Sequence, residues 1–417
     1  MIHGVTGRGE RPETEPAAGP AAPPAGLSRG MVLLLAVVCG VAVGNVYFPQ
    51  AVSPLVAEGL HVSADTATLV VTATQFGYAA GIFLLVPLGD RIPSRSLIAA
   101  LLSLTGLGLL GAGLAPGLVP LVAASALVGV TTVVAPVVAP MAAGLVPEER
   151  RGAVTGTLLS GSLGGMLLSR AFGGSLGEWL GWRAPYLTSA AVALLIALVL
   201  LRALPKTAAP SRQSYPALVG ESLRLLRTEP ELRRSGFYQA MLFGAFSALW
   251  TGVALLMTGP AYGLGASAVG LLALVNAGTM ICTPLAGRQV DRRGPDAVNL
   301  AAALAVLAAA AVLLFGGAGG AAGLTALAAG SLLLDVAMQS GMIANQVRIF
   351  ALSDEARSRL NTAYMTCGYL GGSIGSWLGA RCYEAFGWPG VCGLVAVLAA
   401  LALARHLLHV KSRGSGA

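Results

Sequence analysis

The chain describes an all-α polytopic membrane protein. Only 11% of its 417 residues are charged, while 55% are hydrophobic and mean hydropathy is +0.76. A soluble globular chain carries about 25% charged residues. Apolar runs long enough to cross a hydrocarbon core of about 30 Å recur from Met31 onward. This composition excludes an ordinary water-soluble enzyme, and over most of the length it excludes disorder, which needs few apolar residues and much charge. The 56 glycines follow no Gly-X-Y period and fit membrane helices, which tolerate glycine.

Residues 1–28 are rich in Pro, Gly, Ala and charge without apolar periodicity, which predicts a disordered cytoplasmic tail. The run that follows is too long for a signal-peptide core. Twelve transmembrane helices are predicted near 31–55, 66–88, 97–115, 118–145, 153–177, 184–202, 236–258, 267–286, 297–316, 321–345, 357–381 and 388–408. Pro49 and Pro54 are expected to kink the first, Pro136 and Pro140 the fourth. Most connections are short. The exception is a basic linker, 203–235, between a six-helix bundle at 29–202 and another at 236–410, with 411–417 as a second tail. Within the linker, PALVGESLRLLR (216–227) brings Leu218, Leu225 and Leu226 near one helical face, which fits either a helix on the membrane surface or a solvated linker.

Charge sets the orientation. With the N-terminus inside, all but Arg170, Arg183 and Arg381 of the 26 Lys and Arg residues fall on cytoplasmic segments. Basic residues collect on that side, so both termini are expected to be cytoplasmic. The net charge of +8 then serves topology and implies no nucleic-acid partner. The five cysteines lack CxxC spacing and the four histidines fall outside the apolar cores, so no metal site is expected. No P-loop, HExxH or Ser-His-Asp arrangement is present, and no cofactor is implied.

The chain repeats itself once. At an offset of 206, Glu149, Arg151, Gly165, Glu178 and Gly181-Trp182 match Glu355, Arg357, Gly371, Glu384 and Gly387-Trp388. The loop PLGDRIPSR (87–95) has a counterpart in PLAGRQVDRRG (284–294), where Asp90-Arg91 matches Asp291-Arg292. Two parallel six-helix halves follow, an architecture of transporters.

At these residues the chain resembles the major facilitator superfamily over about 29–410. That family carries G-x-x-x-D-R-x-G-R-R between helices two and three, with a weaker copy between helices eight and nine. The second copy fits with Gly287, Asp291, Arg292 and Gly294. The first keeps Asp90, Arg91 and Arg95, with Val86 and Pro93 at the glycine positions. NVYFPQAVSPL in helix one and SRLNTAYM opening helix eleven are similar to a bacterial sugar- or drug-efflux branch. The resemblance implies that Asp90 holds the cytoplasmic side shut against the region of Arg357–Leu360, with Arg150 or Arg151 as partners, and that Asp291 does the same at the start of helix five. Such contacts break when the cavity opens inward.

Asp335, in AGSLLLDVAMQSGMIANQ (329–346), lies 14 residues into helix ten, about 20 Å at the helical rise. An acid at that depth is costly and marks a functional site by default. It is expected to carry a coupling proton or bind a cationic substrate, unless it is a structural carboxyl paired with another helix. Gln339 lies one turn further on the same face and could bond Asp335 or the substrate. Arg170, 17 residues into helix five, either snorkels to the outer interface or faces the cavity, where it would hold an anion or pair with an acid. The snorkelling or structural role is favoured, and Arg170 stands with Asp335 and Gln339 as a coupling candidate.

The resemblance implies a cavity lined by helices 1, 2, 4, 5, 7, 8, 10 and 11. Polar and aromatic candidates on them are Asn45, Tyr47, Gln50, Gln75, Tyr78 and Tyr238, together with Trp250, Asn276, Gln339, Asn361, Tyr364 and Tyr369. Such a pocket suits neutral or weakly cationic organic molecules. Many drug–proton antiporters of the family carry an acid in helix one, where this chain has Asn45. The expectation is a monomeric transporter in a bacterial plasma membrane, exporting a small organic compound against protons. Uptake or facilitated diffusion of a sugar-like solute is the rival. A membrane enzyme and a non-transporting sensor are remoter ones.

Overall fold

The computed structural model describes residues 27–205, 214–353 and 356–414. The predicted tail at 1–26, the linker stretch 206–213, Glu355 of the repeat and 415–417 lie outside the described residues. Every regular element among the described residues is helical.

Crossing one is α1 (Arg29–Leu60), whose N-cap Ser28 accepts a hydrogen bond from Met31 N–H. Crossing two runs through α2 (Ala64–Ala67), α3 (Leu69–Leu85) and a 3-10 turn, Val86–Asp90. Crossing three is α4 (Ser94–Gly113). Crossing four is α5 (Leu118–Thr131) and α6 (Val134–Gly144), broken where Pro136, lacking an N–H, cannot bond the Thr132 carbonyl. The Thr132 hydroxyl instead donates to the Ala42 carbonyl of crossing one, at 2.9 Å. Crossings five and six are α7 (Glu148–Leu180) and α8 (Arg183–Ala203).

Then α9 (Tyr215–Thr228) lies between the halves as an amphipathic helix, burying Leu218 and Leu225. Hydrogen bonds from Arg224 hold the Glu221 carboxyl on its surface below the ordinary range.

Crossing seven is α10 (Pro230–Thr258), and crossing eight is α11 (Ala266–Val275) with the first part of α12 (Gly278–Leu314). Gly294, at φ 78°, turns α12 back as crossing nine. Crossing ten is α13 (Gly320–Phe350). In α14 (Arg357–Gly414), Gly387 at φ 64° separates crossings eleven and twelve. Left-handed φ suits glycine, which has no Cβ to clash.

Nine stretches of the described residues are long and apolar enough to span a membrane. One of them, Arg357–Val410, is the pair of crossings joined at Gly387. The Gly/Ser-rich α7 and the interrupted crossing eight complete the twelve.

Crossings pack by close backbone approach, as expected where lipid supplies no hydrophobic drive between helices. A Cβ at Gly165 would meet the Gly40 backbone, and one at Gly371 would meet the Ala240 backbone. The matching glycines of the repeat thus seat crossing five on one and crossing eleven on seven. At the basic face, Asp296 pairs with Arg234 at 3.0 Å and also with Arg348, tying crossings seven, nine and ten. His406 is buried beside Tyr238, with ring centroids 6.2 Å apart.

Candidate functional site

The two halves enclose a cavity of about 670 Å³. It runs from Val86, Phe350 and Arg357 on the basic face to a floor of Tyr47, Tyr78, Phe243 and Tyr369. Its walls carry Met166, Met338, Met342 and Met365, and the amides of Gln239, Gln339, Gln346 and Asn361. No carboxylate lines it among the described residues.

Aromatic contacts build the floor. The Tyr47 and Tyr369 hydroxyls, one from each half, hydrogen-bond at 3.2 Å. Tyr369 meets Tyr78 edge-on at 4.5 Å and Phe243 at 4.8 Å between centroids. Edge-to-face contacts suit the ring quadrupoles.

Behind the floor lies a buried polar layer. Arg170 is 0% exposed, so it does not snorkel. Crossing eight packs over α7 at this level, where Gly270 sits against the backbone of Arg170 and Ala171. The Arg170 Nε donates to Gln50 Oε1 at 2.9 Å, and the guanidinium lies 4.3 Å from the Trp250 ring, 5.1 Å from Tyr47 and 5.4 Å from Phe246. Such contacts stabilise a desolvated cation by about 2 kcal/mol or more.

Asp335 is buried in the same layer. It accepts from Asn276 Nδ2 at 2.7 Å and from Trp250 Nε1 at 3.4 Å, and Ser331 Oγ supports Asn276 at 3.4 Å. Trp250 therefore stands between the cation of the first half and the acid of the second. Asn276 reaches Asp335 because α11 ends there and the backbone breaks before α12.

The candidates fall into three groups. Tyr47, Tyr78, Gln339, Asn361 and Tyr369 line the cavity. Gln339 bonds no atom of Asp335. Gln50, Trp250 and Asn276 are buried in the layer behind the floor, and Gln75 is buried on α3. The remainder lie elsewhere: Tyr364 buttresses the wall by donating to Gln239 at 2.7 Å, Tyr238 joins the basic-face ion cluster, and Asn45 faces a separate lateral groove. Phe243, Gln239 and the methionines were missed, because apolar and amide residues on a membrane helix give no sign of which face meets the cavity.

On the basic face the repeated loops stand apart. The field of Arg359 reaches Asp90, but Asp90 forms no ion pair within 4 Å with Arg151 or Arg357. Arg95 donates to the Leu201 carbonyl, Arg91, Asp291 and Arg292 are exposed, and Arg357 sits at the cavity mouth. The opposite face is shut. Glu178, at the end of crossing five, accepts from Ser267 N–H at the start of α11, at 3.0 Å. Arg381 of crossing eleven pairs with Asp65 at 3.2 Å and with Glu384 at 2.9 Å. The match of Glu178 with Glu384 in the repeat was the one signal of this clasp in the sequence.

Twelve crossings in two halves, with a central cavity open at one face and clasped at the other, define a multi-pass membrane transporter. The family model of the Major Facilitator Superfamily matches residues 32–319 and 261–417. The chain belongs to that superfamily. It is 33% identical to the uncharacterized transporter YgaY of Escherichia coli strain K12 over 366 residues, 88% of this chain and 92% of that one. It is 32% identical to the chloramphenicol resistance protein of Streptomyces lividans over 281 residues, 66% of this chain and 70% of that one. Among solved structures, it shares the fold of the nucleoside transporter NupG, at a TM-score of 0.70 and 15% identity, covering 90% and 98% of the two chains.

Proposed function

We propose that this protein exports a small organic compound from a bacterial cell by alternating access, in antiport with protons. The basic face is then cytoplasmic, both termini lie there, and the described conformation faces inward. The observation that carries the reading is the cavity, which opens on the basic face and ends at an aromatic floor with a buried carboxylate behind it. Substrate enters from the cytoplasm and rests on the floor rings. Asp335 exchanges the coupling proton, and Trp250 transmits its state to Arg170 across the halves. Closing the basic face brings Asp90, Arg91 and Arg95 against Arg151 and Arg357, and Asp291 and Arg292 against the start of crossing five. The cavity lies within one chain, so a monomer suffices. The name of the chloramphenicol resistance relative supports export of a small organic molecule.

The test is a pH jump in proteoliposomes loaded with a solute found by a thermal-stabilisation screen. An inward proton gradient should drive the solute out, and Asp335→Asn should abolish the gradient effect while leaving expression intact. If the gradient instead draws solute in, proton-coupled uptake replaces export. Wild-type coupling in Asp335→Asn would remove the acid from the mechanism.

A further inference from the structure

The floor hides hydrogen-bond donors that none of the described residues uses. A guanidinium presents five N–H donors in a planar fork. At Arg170 only Nε is engaged, while Nη1 and Nη2 have no partner, and Nε2 of its neighbour Gln50 has none either. Both residues are 0% exposed. Buried polar groups are nearly always hydrogen-bonded, so two adjacent side chains with unused donors call for an acceptor from another molecule.

Charge says which acceptor. Asp335 already opposes the guanidinium across the Trp250 ring, and Tyr47 and Phe246 complete an aromatic cage. With Asp335 ionised, the formal charge of the layer is already balanced. While Asp335 is ionised, a carboxylate placed here would leave an uncompensated negative charge in a low-dielectric layer, and an ammonium group, which has no acceptor, could not use the free donors of Arg170 and Gln50. An uncharged planar group with oxygen acceptors fits the fork. The floor rings Tyr47, Tyr78, Phe243 and Tyr369 supply faces and edges for a flat body attached to it. The Tyr47–Tyr369 hydroxyl pair spans the halves, so relative movement of the halves opens the way from cavity to fork.

We propose that Arg170 and Gln50 form a subsite for the uncharged, oxygen-bearing head of a flat aromatic substrate. The proposal deepens the transport reading and rests on it for the word substrate, while its test reads binding alone.

Full-length protein in nanodiscs is titrated with tritiated 2-naphthamide in a scintillation proximity assay, with 2-naphthoate and 2-naphthylmethylammonium as competitors. Naphthamide should bind saturably, and the two charged probes should compete about tenfold more weakly or worse. Arg170→Met should weaken naphthamide about tenfold, the size of one charge-assisted hydrogen bond. Because that change alone leaves Asp335 unbalanced, Arg170→Met with Asp335→Asn is the second variant, uncharged in this layer, and the same loss is expected there. Equal competition by all three probes, no saturable naphthamide binding, or unchanged affinity in the double variant would overturn the subsite, leaving the donors to water. Solute flux in proteoliposomes that is indifferent to Arg170→Met removes the subsite and spares the transporter. Arg170-dependent binding without any flux does the reverse.

Discussion

Trp250 connects the two buried charges through different parts of one side chain. Its ring carries the guanidinium at 4.3 Å and its Nε1–H reaches the carboxylate at 3.4 Å. The two functions separate by substitution. Trp250→Phe keeps a ring under Arg170 and removes the donor, so solute transport should fall while melting in detergent changes little. Trp250→Leu removes both and empties part of a fully buried site, so it should also destabilise the fold by about 3 kcal/mol, read as a lower melting temperature. Thermal melting of the two variants beside their flux checks the separation; equal melting temperatures would mean that the ring does not stabilise the cation. Asp335 was legible in the sequence because an acid amid apolar residues is costly wherever its helix faces. For Arg170 the snorkelling alternative, one of those left open, falls: its depth could be counted from the sequence, but the packing of crossing eight over it could not.

At the level of the element, glycines fix how near crossings one and five approach. Gly164 and Gly165 are neighbours in α7 with opposite surroundings. A Cβ at Gly165 would run into the Gly40 backbone, while one at Gly164 meets nothing within 4 Å and opens on the lateral groove. Gly165→Leu should force the helices apart and lower yield and melting temperature sharply. Gly164→Leu should stay within about 0.5 kcal/mol of the parent, as substitutions away from packed contacts do. Melting curves for both variants check this, and similar curves would mean that close approach is not what holds the pair. The repeat made Gly165 and Gly371 visible as a matched pair. It did not show which residue each one faces, since that depends on helix rotation. The break in crossing four could be read from Pro136 and Pro140. The break at Asn276 could not, because no proline stands beside it and it aims an amide at an acid on crossing ten.

For the whole molecule, the internal repeat gave two halves, while the face that is closed had to come from the structure, because both conformations use one sequence. The two clasps on the opposite face occupy matching places in the repeat, yet they are built differently. Glu178 meets a backbone N–H at the start of α11, whereas Asp65 meets the half-exposed guanidinium of Arg381. An exposed ion pair contributes about 0–1 kcal/mol and is screened as salt rises, the Debye length falling from roughly 14 Å to about 4 Å between about 0.05 and 0.5 M. A carboxylate capping a helix contributes about 1 kcal/mol, with part of that in a directed hydrogen bond that screening leaves. Nitroxides at Leu180 and Ala261, on crossing five and the loop before crossing eight, should therefore report a larger open population at high salt in the parent. Arg381→Gln should start more open and lose most of the salt response. Glu178→Ala should shift the equilibrium about fivefold toward opening and keep that response, since about 1 kcal/mol is a factor of about five. A salt response that survives Arg381→Gln unchanged would show that screening acts elsewhere, and that the Asp65–Arg381 pair does not hold the halves together.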